Sequence, residues 1–150
     1  MHLCFNEEFS KLILMKKFII LGFTLMLLFS CSPDNEQPSF RNVFLPIESV
    51  DIPDEFTLGE VYPMTVTYLR PSTCHIFRNF YYERENNERT VAVVSTLFEQ
   101  NNCEDLTDVL LTATFDFHVT SNGSYIFKFW QGKDENEEDI FLEIEVPVTN

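Results

Sequence analysis

The sequence predicts an all-β domain: about seven short strands folded as two antiparallel sheets packed face to face. Three observations predict it. From Phe40 onward apolar residues recur with period two, the spacing that places side chains alternately on the two faces of a strand. Turn-forming residues interrupt that alternation about every dozen positions. No stretch of useful length carries the 3.6-residue repeat of an amphipathic helix, and short strands joined by hairpin-length links favour a two-sheet sandwich.

The residues ahead of Phe40 belong to a different kind of segment. "MHLCFNEEFSKLIL" carries Glu7 and Glu8, which a basic leader should not have, so residues 1–14 read as a mis-called upstream extension with the working start at Met15. Lys16 and Lys17 then precede thirteen apolar or small residues, Phe18 to Ser30. A bilayer span needs roughly 20 apolar residues, so residues 15–30 read as a secretory signal peptide. The apolar run ends in "LFSC", Leu28 to Cys31, which resembles the lipobox of bacterial lipoproteins. That resemblance implies a lipid thioether on Cys31, cleavage before it and acylation of the new amino terminus. Two or three acyl chains anchor stably where one binds only marginally. Residues 31–40, "CSPDNEQPSF", follow as a polar, proline-punctuated tether, a composition that stays disordered. Asp34 and Glu36 resemble the acidic export signals of surface lipoproteins, and Ser32 is not the aspartate of inner-membrane retention. The implied location is the outer membrane, surface-facing preferred over periplasm-facing.

Residues 41–150 form the expected sandwich domain. "NVFLPIESVDIP" is a first strand broken by Pro46, suited to an edge because proline cannot donate to a ladder. "EVYPMTVTYLRP" is a second, with Tyr62, Met64, Val66 and Tyr68 on one face and Thr65 and Thr67 on the other. The third runs from Cys74 to Arg84, and "ENNE" turns it back through asparagines that tolerate positive φ. "RTVAVVSTLFE" is β-branched and apolar on both faces, as a covered central strand should be. In "LLTATFDFHVT", Leu111, Ala113, Phe115, Phe117 and Val119 alternate with Thr112, Thr114, Asp116, His118 and Thr120. "SNGS" supplies a tight turn at Gly123, "YIFKFWQ" a sixth strand and "IFLEIEVPV" a seventh. The closing pair, "SNGSYIFKFWQG" and "IFLEIEVPV", resembles the last two strands of bacterial immunoglobulin-like modules, which implies that fold. The sixth strand has no cysteine, so the inter-sheet disulfide of antibody domains does not carry over.

Charge and cysteines bound the function. The whole chain carries 24 acidic and 10 basic residues, a formal charge of −14. Such a field repels phosphate backbones, so nucleic acid is not an expected partner. In the exported part Cys74 and Cys103 are the only cysteines besides Cys31. An oxidising compartment lets them pair.

Catalytic signals are sparse: the sequence holds no H-E-x-x-H, G-x-S-x-G or glycine-rich phosphate loop. His75 follows Cys74, but that cysteine is better used in a disulfide. His118 shares a strand face with Asp116 and reads as a solvated histidine; the alternative is an envelope hydrolase using His118 with a carboxylate. The run Asp134 to Asp139 reads as a solvated hairpin tip, with no cofactor expected. Its alternative is a Ca²⁺ site on Asp134, Asn136, Glu138 and Asp139 in a calcium-stabilised adhesion module, although it lacks the glycine and ligand spacing of an EF-hand loop. If Tyr125, Phe127 and Phe129 face the core, then Ile126, Lys128 and Trp130 face outward beside Phe141, joined by Phe77 and Tyr81 or by Phe80 and Tyr82. A contiguous aromatic patch of that kind marks a binding face, and the leading expectation is a non-catalytic envelope module that holds a protein or a glycan.

Overall fold

The computed structural model describes residues 39–149; the leader, Cys31 and most of the tether lie outside them. The described residues contain ten strands and no helix: β1 (Phe40–Leu45), β2 (Ile47–Asp51), β3 (Phe56–Thr57), β4 (Val61–Leu69), β5 (His75–Glu85), β6 (Glu88–Phe98), β7 (Leu110–His118), β8 (Tyr125–Lys133), β9 (Asp139–Val146) and β10 (Val148–Thr149). The seven expected strands are all present. The extra ones come from the split at Pro46 and from a two-residue pair, β3 with β10.

Pro46 does more than mark an edge. The strand before it, β1, pairs with β6 in the larger sheet, whereas β2 after it pairs with β4 in the smaller one. A residue with no N–H to donate stands where the chain leaves one ladder for the other. The larger sheet runs β5–β6–β8–β9, with β1 alongside β6, and the smaller runs β2–β4–β7. Ser39 and Phe40, assigned to the tether from sequence, belong to the domain: Phe40 pairs with Phe98, and the Ser39 hydroxyl donates to Glu99 over 2.7 Å.

The sheets are not purely antiparallel. β6 and β8 run parallel from Glu88↔Ile126 to Val91↔Phe129, and β3 and β10 are parallel as well. Period-two patterning fixes which face of a strand is buried but is silent on the direction of its neighbour, so this pairing was invisible in the sequence.

One core lies between the sheets. Met64, Val66 and Tyr68 of β4 and Phe117 of β7 meet Val91 and Val93 of β6 and Tyr125, Phe127 and Phe129 of β8. Phe56 on β3 is fully buried and packs against Phe117, Tyr125 and Phe127, closing one end of the core. Burying such a ring stabilises the fold by about 2–3 kcal/mol. The alternation expected on β4, β7 and β8 agrees with the buried positions. On β9 it holds for Leu142, Ile144 and Val146 but not for Ile140, which is exposed. Opposite Ile140 the neighbouring β8 carries a bulge: Trp130 faces Phe141 but Gly132 faces Ile140, leaving Gln131 unpaired, and its side chain donates to the Ile47 carbonyl.

Two local devices fix the rest. Asn86 takes φ 51° in the turn between β5 and β6, the conformation asparagine was expected to supply. At the turn before β8, the Tyr125 hydroxyl reaches back to the backbone N–H groups of Thr120 and Ser121, 3.1 and 2.9 Å away.

Candidate functional site

Two aromatic surfaces emerge, on opposite faces of the larger sheet. The outer one is built on β8. Tyr125, Phe127 and Phe129 are buried, so Ile126, Lys128 and Trp130 point away from the core. Trp130 stands opposite Phe141 on β9 and meets Phe44 of β1 edge-on, with ring centres 5.7 Å apart. Phe44 in turn contacts Tyr81 of β5 at 5.6 Å. Strands distant in sequence thus bring four rings to one face, over the small side chain of Ala92, the partner of Tyr81 on β6.

The polar tips of this cluster are already fixed. The Trp130 indole N–H donates to Asp139 Oδ1 at 2.9 Å, and the Tyr81 hydroxyl donates to Glu83 at 2.8 Å. That bond to a carboxylate raises the Tyr81 pKa. Lys128 pairs with Glu88 at 2.7 Å, and this bond raises its pKa in turn. Phe44 and Tyr81 stay 47% and 40% exposed. The result is a set of rings whose polar tips are held in place, with acidic groups at its margin.

Phe44 was missed from sequence because the Pro46 break hides the parity of its strand. Tyr81 was only half-read. A bulge at Arg78, between the pairs Phe77↔Ser95 and Asn79↔Val94, flips the alternation. Phe77, Phe80 and Tyr82 therefore turn inward, Phe77 toward Tyr68 and the other two toward Phe115, and only Tyr81 joins the outer cluster.

Those inward rings line the second surface. β5 and β7 are edge strands of opposite sheets, and between them opens a groove of about 590 Å³ walled by Phe80, Tyr82 and Phe115, with Arg84 and Arg89 among its lining. Arg89 is 2% exposed. Asp116 and His118 also line this groove, both on the exposed side of β7. They make no hydrogen bond to each other among the described residues, so no oriented acid–base pair stands there.

The remaining sequence candidates are placed as follows. Cys74 and Cys103 are at disulfide bonding distance, with Cα atoms 5.4 Å apart, inside the range a bridge requires. The bridge joins the residue before β5 to the loop between β6 and β7. His75 is not a thiol partner: its Nδ1 is 2.8 Å from the Ser72 hydroxyl, and burial, then Arg70 and Arg41, lower its pKa. In the acidic hairpin, Asp134 Oδ1 accepts the backbone N–H groups of Asn136 and Glu138 at 2.8 and 2.9 Å, which hold its carboxyl below the usual range. Asp139 accepts from Trp130. These carboxylates shape the turn and fix the indole; among the described residues no group of three or more His, Cys, Asp or Glu side chains is arranged to hold a metal ion.

In comparisons with known proteins, no family model, curated protein or solved structure matches this chain.

Proposed function

We propose that this chain is a lipid-anchored lipoprotein of the bacterial cell envelope whose β-sandwich is a non-catalytic binding module. The observation that carries the reading is the outer aromatic face of Phe44, Tyr81, Trp130 and Phe141, partly exposed and fixed by neighbouring carboxylates. Rings offer flat apolar area at low entropic cost, and carboxylates accept hydroxyl protons. That combination favours a glycan, whose C–H faces stack on rings while its hydroxyls meet the acids, over an envelope protein.

The immunoglobulin-like reading of the sandwich is part of the proposal. It is supported by the Tyr125 corner, in which a tyrosine opening a late strand bonds to backbone four and five residues upstream, as in that fold. The parallel β6–β8 pair makes it a variant of that plan. Anchoring through Cys31 at the outer membrane, facing outward, rests on the lipobox-like "LFSC" and on Asp34 and Glu36. A fatty-acid analogue fed to expressing cells should label the protein and fail to label Cys31→Ser; label retained in that variant removes the anchor.

Trp130 is the only tryptophan, so the face carries its own reporter. Titrating envelope oligosaccharides into the full chain should change Trp130 fluorescence saturably, and Trp130→Ala should abolish capture with the fold intact. Fluorescence that responds to no glycan but to a cross-linked envelope protein would move the reading to a protein partner. Silence with both would end it.

A further inference from the structure

We propose that the groove between β5 and β7 is a second, separate site that takes a small organic carboxylate with an aromatic or other apolar body, gripped by Arg89. A buried guanidinium is costly unless it is paired. Arg89 is 2% exposed, yet no carboxylate lies within ion-pair distance of it among the described residues. What holds it is partial. One terminal nitrogen, Nη1, donates to the carbonyls of Asn86 and Glu88 at 2.9 and 2.6 Å, and the guanidinium lies 4.8 Å from the centre of the Tyr125 ring. Its Nε–H has no partner.

Nη1 is spent on the turn, and Nε–H is buried without a partner among the described residues. On a guanidinium the Nε–Nη2 edge carries the parallel pair of donors that fits a planar carboxylate, so an acid that reached this edge from the groove would satisfy the Nε–H. The surroundings agree. The groove's volume of about 590 Å³ lies in the range of small-molecule sites, and Phe80 and Phe115 pack at 4.9 Å between ring centres to form an apolar wall. Arg84 adds a second cation. In a chain of net charge −14, two basic residues share this groove with one carboxylate, Asp116, so the local excess of positive charge attracts a single carboxylate while a polyanion is repelled by the whole.

Burial raises the pKa of Tyr82, which lines the same groove, and the Arg89 and Arg84 guanidiniums oppose that rise.

The test uses the full chain, 2-naphthoate and its neutral isostere 2-naphthamide, followed by calorimetry and by the Arg Nε–H resonances in NMR. The acid should bind saturably and at least about tenfold more tightly than the amide, the size of one charge-assisted contact. The Arg89 Nε–H should move on its addition. Arg89→Met should erase the preference for the acid. If that variant fails to fold, the wild-type Nε–H shift decides the matter alone. Equal affinity for acid and amide, no saturable binding of either, or binding that disappears with Trp130→Ala while the Arg89 resonance stays still would each overturn the proposal.

Discussion

The outer face and the inter-sheet groove are built from the same kinds of side chain and have opposite electrostatics. On the outside, Trp130 and Tyr81 spend their polar tips on Asp139 and Glu83, so the rings are rigid and their border is negative. In the groove, Phe80 and Phe115 share a wall with Tyr82, and Arg84 and Arg89, whose Nε–H has no partner, outnumber the one carboxylate there, Asp116. An aromatic patch alone does not name a ligand; the ionisable groups beside it separate the two proposals, an acidic border proposed for hydroxyl donors and a basic groove proposed for one acid.

The two surfaces also differ in what maintains them. The outer face is centred on Trp130 of β8, which is paired with β6 on one side and β9 on the other, and reaches the edge strands β5 and β9 through Tyr81 and Phe141. The groove depends on two edge strands that do not pair with each other, and on the cross-links at their ends. Residues 70–75 supply these links: Arg70 N–H donates to Val109, Thr73 N–H to Glu104, and Cys74 bonds to Cys103.

Removing that bridge is therefore the strongest way to separate the surfaces. Cys74→Ser with Cys103→Ser opens a loop spanning 29 positions, and in the chain-entropy model this costs roughly 3–4 kcal/mol. A urea titration should show the loss as a lower midpoint. At low urea, hydrogen exchange should rise in β5 and the start of β7 while the amides of β8 and β9 around Trp130 stay protected. Uniform acceleration across both sheets would mean that the two surfaces are one cooperative unit, and the contrast would be lost.

How much of this was legible depends on the range of the signal. The face that carries Trp130 followed from the parity of one strand, because "YIFKFW" alternates without a break. Arg89 opens the strand "RTVAVVSTLFE" and was given no role there, yet a local signal was present: it shares parity with Val91 and Val93, which points it into the core. The bulge at Arg78 was not readable, since a single inserted residue leaves the composition of "HIFRNFYYER" unchanged while it reverses the side chains beyond it. Nor was the crossing at Pro46, because the choice between two sheets is made by partners well outside the local stretch, Thr65 to Tyr68 in β4 and Val93 to Phe98 in β6.

A smaller effect, and a finer probe, lies at Tyr125, which meets Arg89 through its ring and the β7–β8 corner through its hydroxyl. Tyr125→Phe keeps the ring under Arg89 but leaves the N–H groups of Thr120 and Ser121 without their acceptor, which should cost about 1–3 kcal/mol. Groove binding should survive and corner stability should not. The same hydroxyl supplies a pH test. Burial raises its pKa, but donation from Ser121 and Thr120, by side chain and backbone, outweighs that and lowers it to about 8 from the ordinary 10.0. Between those values the unfolded chain holds a proton that the folded one has released, so stability rises with pH across that window. The contribution is complete above the unfolded value and is gone once pH falls below about 8. Phenolate absorbance at 295 nm should show one tyrosine of the five titrating near pH 8, and urea midpoints should climb from pH 8 toward 10 in the wild type more than in Tyr125→Phe. A midpoint that stays level or falls in both proteins alike would show that the Tyr125 oxygen is an ordinary phenol, and that the corner is held by packing instead of by its hydrogen bonds.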